Sequence, residues 1–345
     1  MPVLPPGGYE RMMGQHRLLT AARESIERHQ LLSAEDKVVI GLSGGADSVA
    51  LLCALKKLGY ECVAAHCNFH LRGEESDRDE NHARSIASKL GVKFRSIDFN
   101  VEAEIAKSPH PLSTEMACRN LRYDWFEKIR CEEKATAIAV AHHRSDNVET
   151  FLLNLFRGSG LSGLRGMLPI NDRHIIRPLL NASRGDIEDF LTTEGLGFVN
   201  DSTNFQNDYR RNRIRNRIVP AIEQEFPDAV TGMLKTIAHL YETEQFLKQA
   251  VEEKRDIYQD DSGQIDVRKL KESEPSAAYL LYSWLKKDGL SRTQTDSIIQ
   301  SSESSGLTFK GRAETFLLNR GILRPTGRLE LPEDFGKLYS VHRVK

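Results

Sequence analysis

The sequence predicts an α/β fold: a parallel sheet with helices on both faces, then a smaller, mainly helical C-terminal domain with a short β ending. Three observations carry this. A β-branched run, Val38, Val39 and Ile40, ends in a glycine turn, and an apolar helix starts at Val49. Strand-like and helical segments then alternate as far as Phe156, the rhythm of βαβ units. Past Gly158 that rhythm stops and helical patterns dominate. The 345 residues suffice for two domains. Hydrophobic content of 39% and charged content of 28% are those of an ordinary globular chain. A formal net charge of −1 carries no global signal for nucleic acid, so such a partner must be met by a local basic patch. No stretch approaches the ~18 apolar residues of a membrane span, and no membrane partner is expected. The start, MPVLPPGGYERMMG, lacks the basic-then-hydrophobic pattern of a signal peptide. It reads as a loose extension over residues 1–15 of a cytoplasmic protein.

In order, residues 16–31 form an amphipathic helix, 38–40 the first strand and 62–67 the second. The acidic residues 74–80 open a helix that runs to Leu90, negative charge being favourable in a first turn. Residues 92–99 are a third strand, 113–133 a helix capped by Ser113 or Thr114, 135–141 a fourth strand, and 145–156 a helix. A glycine loop (157–163), an extended segment up to Pro178 and a capped helix (183–194) follow. Next come a polar loop (200–204) and the most basic stretch of the chain (209–217). From Pro220 the pattern is helical to about Tyr258, broken at Pro227. A helical patch covers 277–287, and 306–324 read as short strands. The expected division is a nucleotide-binding domain over 16–219 and an accessory region over 220–345. The five cysteines form no C-x-x-C pair and read as reduced, buried thiols.

Three constellations carry chemistry. Ser43, Gly44, Gly45, Ala46, Asp47 and Ser48 join the first strand to a helix N-terminus. Free backbone N–H groups and the positive helix end suit phosphate there, though such a turn can also be a simple cap. No lysine lies between Ser43 and Ala54, so a metal or residues from elsewhere must supply positive charge. Asp47 argues likewise, since a carboxylate beside phosphates is repulsive unless Mg²⁺ lies between them. His142, Asp146 and Glu149, spaced by four and three, fall on one helical face. They read as a capped polar face, as a zinc-type site lacking its remaining ligands, or as carboxylates that hold Mg²⁺ or an amine. Their place at the carboxyl edge of the sheet favours the last. Arg119 and Arg122 lie on the helix before the fourth strand, where Glu115–Arg119 could be only an i,i+4 pair. Arg210, Arg211, Arg213, Arg215 and Arg217 form either a solvated face or a contact for RNA or nucleotide phosphate.

The SGGADS loop resembles the signature of the PP-loop ATP pyrophosphatases, which split ATP into AMP and pyrophosphate. Six segments in order go further: SGGADS (43–48), HCNFHLRGEESDRDE (66–80), STEMACRNLRYDWF (113–126), AHHRSDNVETFLLNLFRGSGLSGL (141–164), RPLL (177–180) and DSTN with RRNRIRNRIVP (201–220). Together they resemble the tRNA(Ile)-lysidine synthase family, strongly over about 16–220 and loosely beyond. The resemblance implies a PP-loop, adenine nucleotide α-hydrolase-like fold with ATP and Mg²⁺ as cofactors. It also implies ligation of free L-lysine to C2 of the wobble cytidine in an isoleucine tRNA with a CAU anticodon, through an adenylated intermediate. A homodimer is compatible with it. On that reading residues 43–48 hold pyrophosphate, Asp47 and Asp146 hold Mg²⁺, and Asp146 and Glu149, with His142, handle the amine. Arg119 steadies the intermediate or the phosphate, and Arg211, Arg213 and Arg215 meet tRNA or the α-phosphate region. The rivals are another PP-loop enzyme, either a tRNA thiolation enzyme or a small-molecule synthetase, and a non-catalytic binding module.

Overall fold

The computed structural model describes residues 17–108, 111–199 and 210–328. The expected N-terminal extension and the polar loop at 200–204 lie outside them. By internal contacts the chain forms two compact units, Met1–Tyr241 and Glu242–Lys345, which part within one long helix.

Unit one is built on a five-stranded parallel sheet: β1 (Lys37–Gly41), β2 (Glu61–Asn68), β3 (Lys93–Asp98), β4 (Ala137–Ala139) and β5 (Ile175–Ile176). Helices α1 (Arg17–Arg28), α2 (Ala46–Lys57), α3 (Glu74–Lys89), α4 (Val101–Lys107), α5 (Thr114–Glu132), α6 (Arg144–Phe156), α7 (Leu161–Leu164) and α8 (Arg184–Glu194) accompany it. After the undescribed segment come α9 (Arg210–Arg213), a π-helical turn (Ile214–Ile218), α10 (Val219–Glu225) and the start of α11 (Ala229–Tyr258). Successive strand residues point to opposite faces, and β1 shows the result. Val38 and Ile40 pack in one core with Leu51 and Leu55 of α2 and Ile187 and Phe190 of α8. Val39 packs on the other side with Tyr123, Trp125 and Phe126 of α5. A strand covered on both faces must be apolar throughout, which is why VVI shows no alternation.

The strand order is β3-β2-β1-β4-β5. The chain moves outward from β1 to β3, then returns to lay β4 on the other side of β1. The connections therefore diverge between β1 and β4, and the crevice beyond their carboxyl ends is where open α/β sheets bind ligands. β5 was expected only as extended chain. It pairs with β4 through two residues, Ile138↔Ile175 and Ala139↔Ile176, too short a run for its alternation to be read. α4 likewise lacks a strong periodic pattern and carries an Asn100 cap on Ala103 N.

Unit two has its own core, in which Ile265, Val267, Leu270, Leu281, Trp284, Ile298, Leu318 and Leu323 are buried. Its helices are the end of α11, α12 (Val267–Ser273), α13 (Ala277–Leu285) and α14 (Arg292–Gln300). Strands β6 (Ile265–Asp266), β7 (Ser305–Lys310), β8 (Glu314–Asn319) and β9 (Ile322–Arg328) form an antiparallel sheet in the order β6-β9-β8-β7. Helices with a short strand ending were the expectation, and this is what forms. Among the described residues no helix is long and apolar enough to cross a membrane.

Candidate functional site: an anion loop beside a carboxylate–arginine cluster

The loop at 43–48 is held from several sides. His66, at the end of β2, donates from Nδ1 to the Leu42 carbonyl at 2.8 Å, and burial pulls its pKa down, which keeps the ring neutral. The Ser48 hydroxyl accepts from Ser43 N at 3.1 Å and donates to Gly45 O at 2.9 Å, so the turn is closed on itself. Val199 N donates to Gly44 O at 3.1 Å. Gly44 has φ +91°, and a Cβ there would lie 3.0 Å from the Asp79 carbonyl oxygen. Helix α2 begins at Ala46 with Gly45 as its cap, and Gly45 brings no side chain to the task. The first-turn amides of Ala46, Asp47 and Ser48 thus have no intrahelical acceptor, and they aim with the helix dipole at the crevice.

Across the switch point, α6 starts one residue earlier than expected, with His143 as its cap. His143 N donates to Asp146 Oδ2 at 2.9 Å, and Ser145 N donates to His143 Nδ1 at 3.2 Å. Nδ1 is thus engaged as an acceptor, and Nε2 is the remaining ring nitrogen. That atom is 3.8 Å from Asp47 Oδ2 and 3.6 Å from Asp146 Oδ2. The two aspartates therefore lie on either hand of the His143 ring, close to one another. Burial raises the Asp47 carboxyl above its ordinary pKa and the Asp146 charge adds to this, against the pull of His143 and Arg184. Burial would also raise Asp146, but His143 and Arg211 outweigh it and hold that carboxyl low.

Glu149 follows one helical turn on and is 1% exposed. It accepts from Arg211 Nε and from Arg215 Nε, both at 2.6 Å. Asp146 Oδ1 accepts from Arg211 Nη2 at 2.8 Å and Arg215 Nη2 at 3.2 Å. Two carboxylates and two guanidiniums thus close a quartet, with each arginine spanning both acids. A spacing of four places Arg211 and Arg215 on one helical face, and Ile214, the one apolar residue between them, seats the segment. Ile214 packs with Val148, Phe151 and Leu152 of α6 and with Ile237 of α11.

His142 is a correction. The spacing argument put it on a helical face with Asp146 and Glu149, yet it precedes the cap and lies outside the helix. Its Nδ1 accepts from Arg177 Nε at 3.1 Å, and burial drives its pKa down to about 3. The Glu115–Arg119 pair does not form; the exposed Arg119 guanidinium lies 5.0 Å from the Tyr123 ring centre. Arg213 is exposed on α9. Sequence reading missed Arg184, which donates from Nη1 to Asp47 Oδ1 at 2.8 Å, and also Arg177 and His143. RPLL followed by a Ser-capped helix was the available signal, because both sit just past a strand end. Cys131 departs from the expectation of buried thiols and is exposed, whereas Cys53, Cys62 and Cys118 are buried.

Residues 17–222 match the model of the PP-loop domain. The tRNA(Ile)-lysidine synthase of Parabacteroides distasonis is 42% identical over 307 residues, covering 89% of this chain and 69% of the relative. That of Bacteroides thetaiotaomicron is 40% identical over 314 residues, covering 89% and 72%. This chain belongs to the tRNA(Ile)-lysidine synthase family. The lysidine synthase of Porphyromonas gingivalis, 39% identical over 324 residues and covering 92% of this chain and 70% of its own length, agrees. The PP-loop match of this lysidine synthase family member spans the loop, the His142–Glu149 stretch and both quartet arginines. Among solved structures, the U34-tRNA thiolase NcsA from Methanococcus maripaludis, with its [4Fe-4S] cluster, shares the fold. Its TM-score is 0.52 at 18% identity, covering 68% of this chain and 80% of that one.

Proposed function

We propose that this protein joins free lysine to C2 of the wobble cytidine in a CAU-anticodon isoleucine tRNA at the expense of ATP, forming lysidine. The cytidine O2 attacks the α-phosphorus, the bond to the β-phosphate breaks, and pyrophosphate leaves. The lysine ε-amine then attacks C2, the C2–O bond breaks, and AMP leaves. Family membership supports the reaction. The observation that carries its assignment to this site is the juxtaposition of the anion loop with the Asp146–Glu149 pair. Carboxylates that hold two guanidiniums have the charge and hydrogen-bonding capacity to hold an ammonium.

In this reading the amides of Ala46–Ser48 and the Ser43 hydroxyl take the pyrophosphate. Asp47 offers hard oxygen donors beside the phosphates, and Asp146 lies close to it, a set that fits Mg²⁺ completed by phosphate and water. The ion would neutralise charge on the leaving group. A lysine ammonium, with its pKa near 10.4, binds at Glu149 and Asp146 by replacing a guanidinium. Asp146, held low, suits pairing with that ammonium, and Glu149 is the carboxylate that takes the proton the amine loses before it attacks. Arg119 serves the phosphate or the intermediate. Arg213 serves tRNA, while Arg211 and Arg215 would reach RNA only by giving up their acids. A cytoplasmic location and a homodimer belong to the same proposal.

Sulfur transfer is not favoured. Burial pushes the Cys62 and Cys67 thiols up to about 12 and Cys53 up to about 11, the opposite of a reactive thiolate. The test is incubation with ATP, labelled lysine and the CAU-anticodon isoleucine tRNA, followed by nucleoside analysis. The wild type gives labelled lysidine and one AMP per lysine. Glu149→Gln should raise the lysine KM about tenfold, a loss of about 1.4 kcal/mol, with the ATP KM little changed. No label in nucleoside from the wild type would sink the assignment.

A further inference from the structure

The loop at 43–48 carries no lysine, and Asp47 adds negative charge where phosphate must sit. The nearby arginines are mostly occupied. Arg211 and Arg215 span Asp146 and Glu149. Arg177 is buried against His142 and the Leu168 carbonyl. Arg184 differs: among the described residues, it is the arginine whose guanidinium reaches the loop itself.

Its position is built. Arg184 is the first residue of α8, and Ser183 caps that helix in a reciprocal box with Asp186. The segment before it is tied to the start of α6 by Arg144 N donating to Ala182 O and Arg144 Nη2 to Asn181 O, both at 3.0 Å. Ile187, Phe190 and Leu191 fix α8 in the core that also holds α2. The side chain keeps 41% exposure. Nη1 donates to Asp47 at 2.8 Å and Nε to Glu188 at 2.7 Å, while Nη2 has no partner among the described residues. A guanidinium with open N–H groups on a fixed helix start is a phosphate contact in waiting, since its fork matches phosphate oxygens.

We infer that Arg184 is the cation the loop lacks: it pairs with Asp47 when no phosphate is bound and transfers to the β- and γ-phosphates, later pyrophosphate, when ATP binds. This rests on the ATP-splitting reading of the loop and names a residue that acts in it. No bond is made or broken in the exchange. The exchange frees the Asp47 carboxylate, which would then be available to hold a divalent cation.

The experiment is titration calorimetry of inorganic pyrophosphate into the full-length protein, with and without Mg²⁺, no tRNA or lysine being present. Arg184→Gln should weaken binding about tenfold, and Arg184→Lys, which keeps a point charge, should fall between. Asp47→Asn should tighten binding in the absence of Mg²⁺, and Asp47→Asn/Arg184→Gln should lose that gain. The double variant leaves neither partner of the ion pair unpaired, so it serves even where Arg184→Gln alone folds poorly. Unchanged pyrophosphate affinity in Arg184→Gln, or a gain in Asp47→Asn that survives loss of Arg184, would overturn the inference and reduce Arg184 to a pin for Asp47. Neither result touches the lysidine assay, which stands or falls separately.

Discussion

Glu149 and His142 sit seven residues apart and meet arginines in opposite ways. Glu149 is buried and accepts from two guanidiniums, whereas His142 is partly buried and accepts one N–H as a neutral ring. An unfolded chain protonates this histidine near 6.5, but the folded protein resists until about 3. Between those values the unfolded state binds the extra proton. The contribution to stability is therefore full above about pH 6.5 and is lost as pH falls toward 3. His142→Asn keeps an acceptor for Arg177 and removes the titration. It should flatten the fall in stability between about pH 7 and pH 4 by up to about 1.4 kcal/mol per pH unit, less for a group that water reaches. Chemical denaturation across that range checks it. The sequence showed that acids and arginines were both abundant here. It could not show that Arg211 and Arg215 turn inward onto the acids, because sixty-odd intervening residues leave no local periodicity to compare.

Among elements, the turn between β1 and α2 was the most legible, since β-branched run, glycine pair and apolar helix all lie within fifteen residues. What the letters hide is that the two glycines do different jobs. Gly44 has φ +91° and faces a backbone carbonyl, whereas Gly45 has φ −74° as cap and its Cβ would meet nothing nearer than 3.5 Å. Gly44→Ala should cost about 1–3 kcal/mol through backbone strain and weaken ATP binding. Gly45→Ala should be much milder on stability. Thermal melts with ATP calorimetry on both variants check the contrast, and equal damage would count against it. The helix after β4 was legible from its pattern, but its start was not. A histidine is an unusual cap, and only the paired bonds to Asp146 and Ser145 reveal it.

At the scale of the molecule, the βαβ rhythm foretold a parallel sheet and the later helical texture foretold a second body. The strand order is set by long-range pairing that no local pattern encodes, yet it decides that β1 and β4 bracket the crevice. The parting of the units inside α11 was equally hidden, because a continuous helix presents no break in pattern where one core ends and another begins. Each core nevertheless contains one of the two tryptophans: Trp125 packs under β1 and is 7% exposed, and Trp284 is 1% exposed with Nε1 donating to Val251 O at 2.9 Å. Trp284→Phe leaves emission from the nucleotide-binding core alone, and Trp125→Phe leaves emission from the other. ATP at a hundred times its Kd should stabilise the first by about 2.7 kcal/mol, read as a shift in the Trp125 melting transition. The protein thus carries two intrinsic optical probes, one per core. Any ATP-induced shift in the Trp284 transition would measure directly how much free energy passes from the nucleotide to the C-terminal unit.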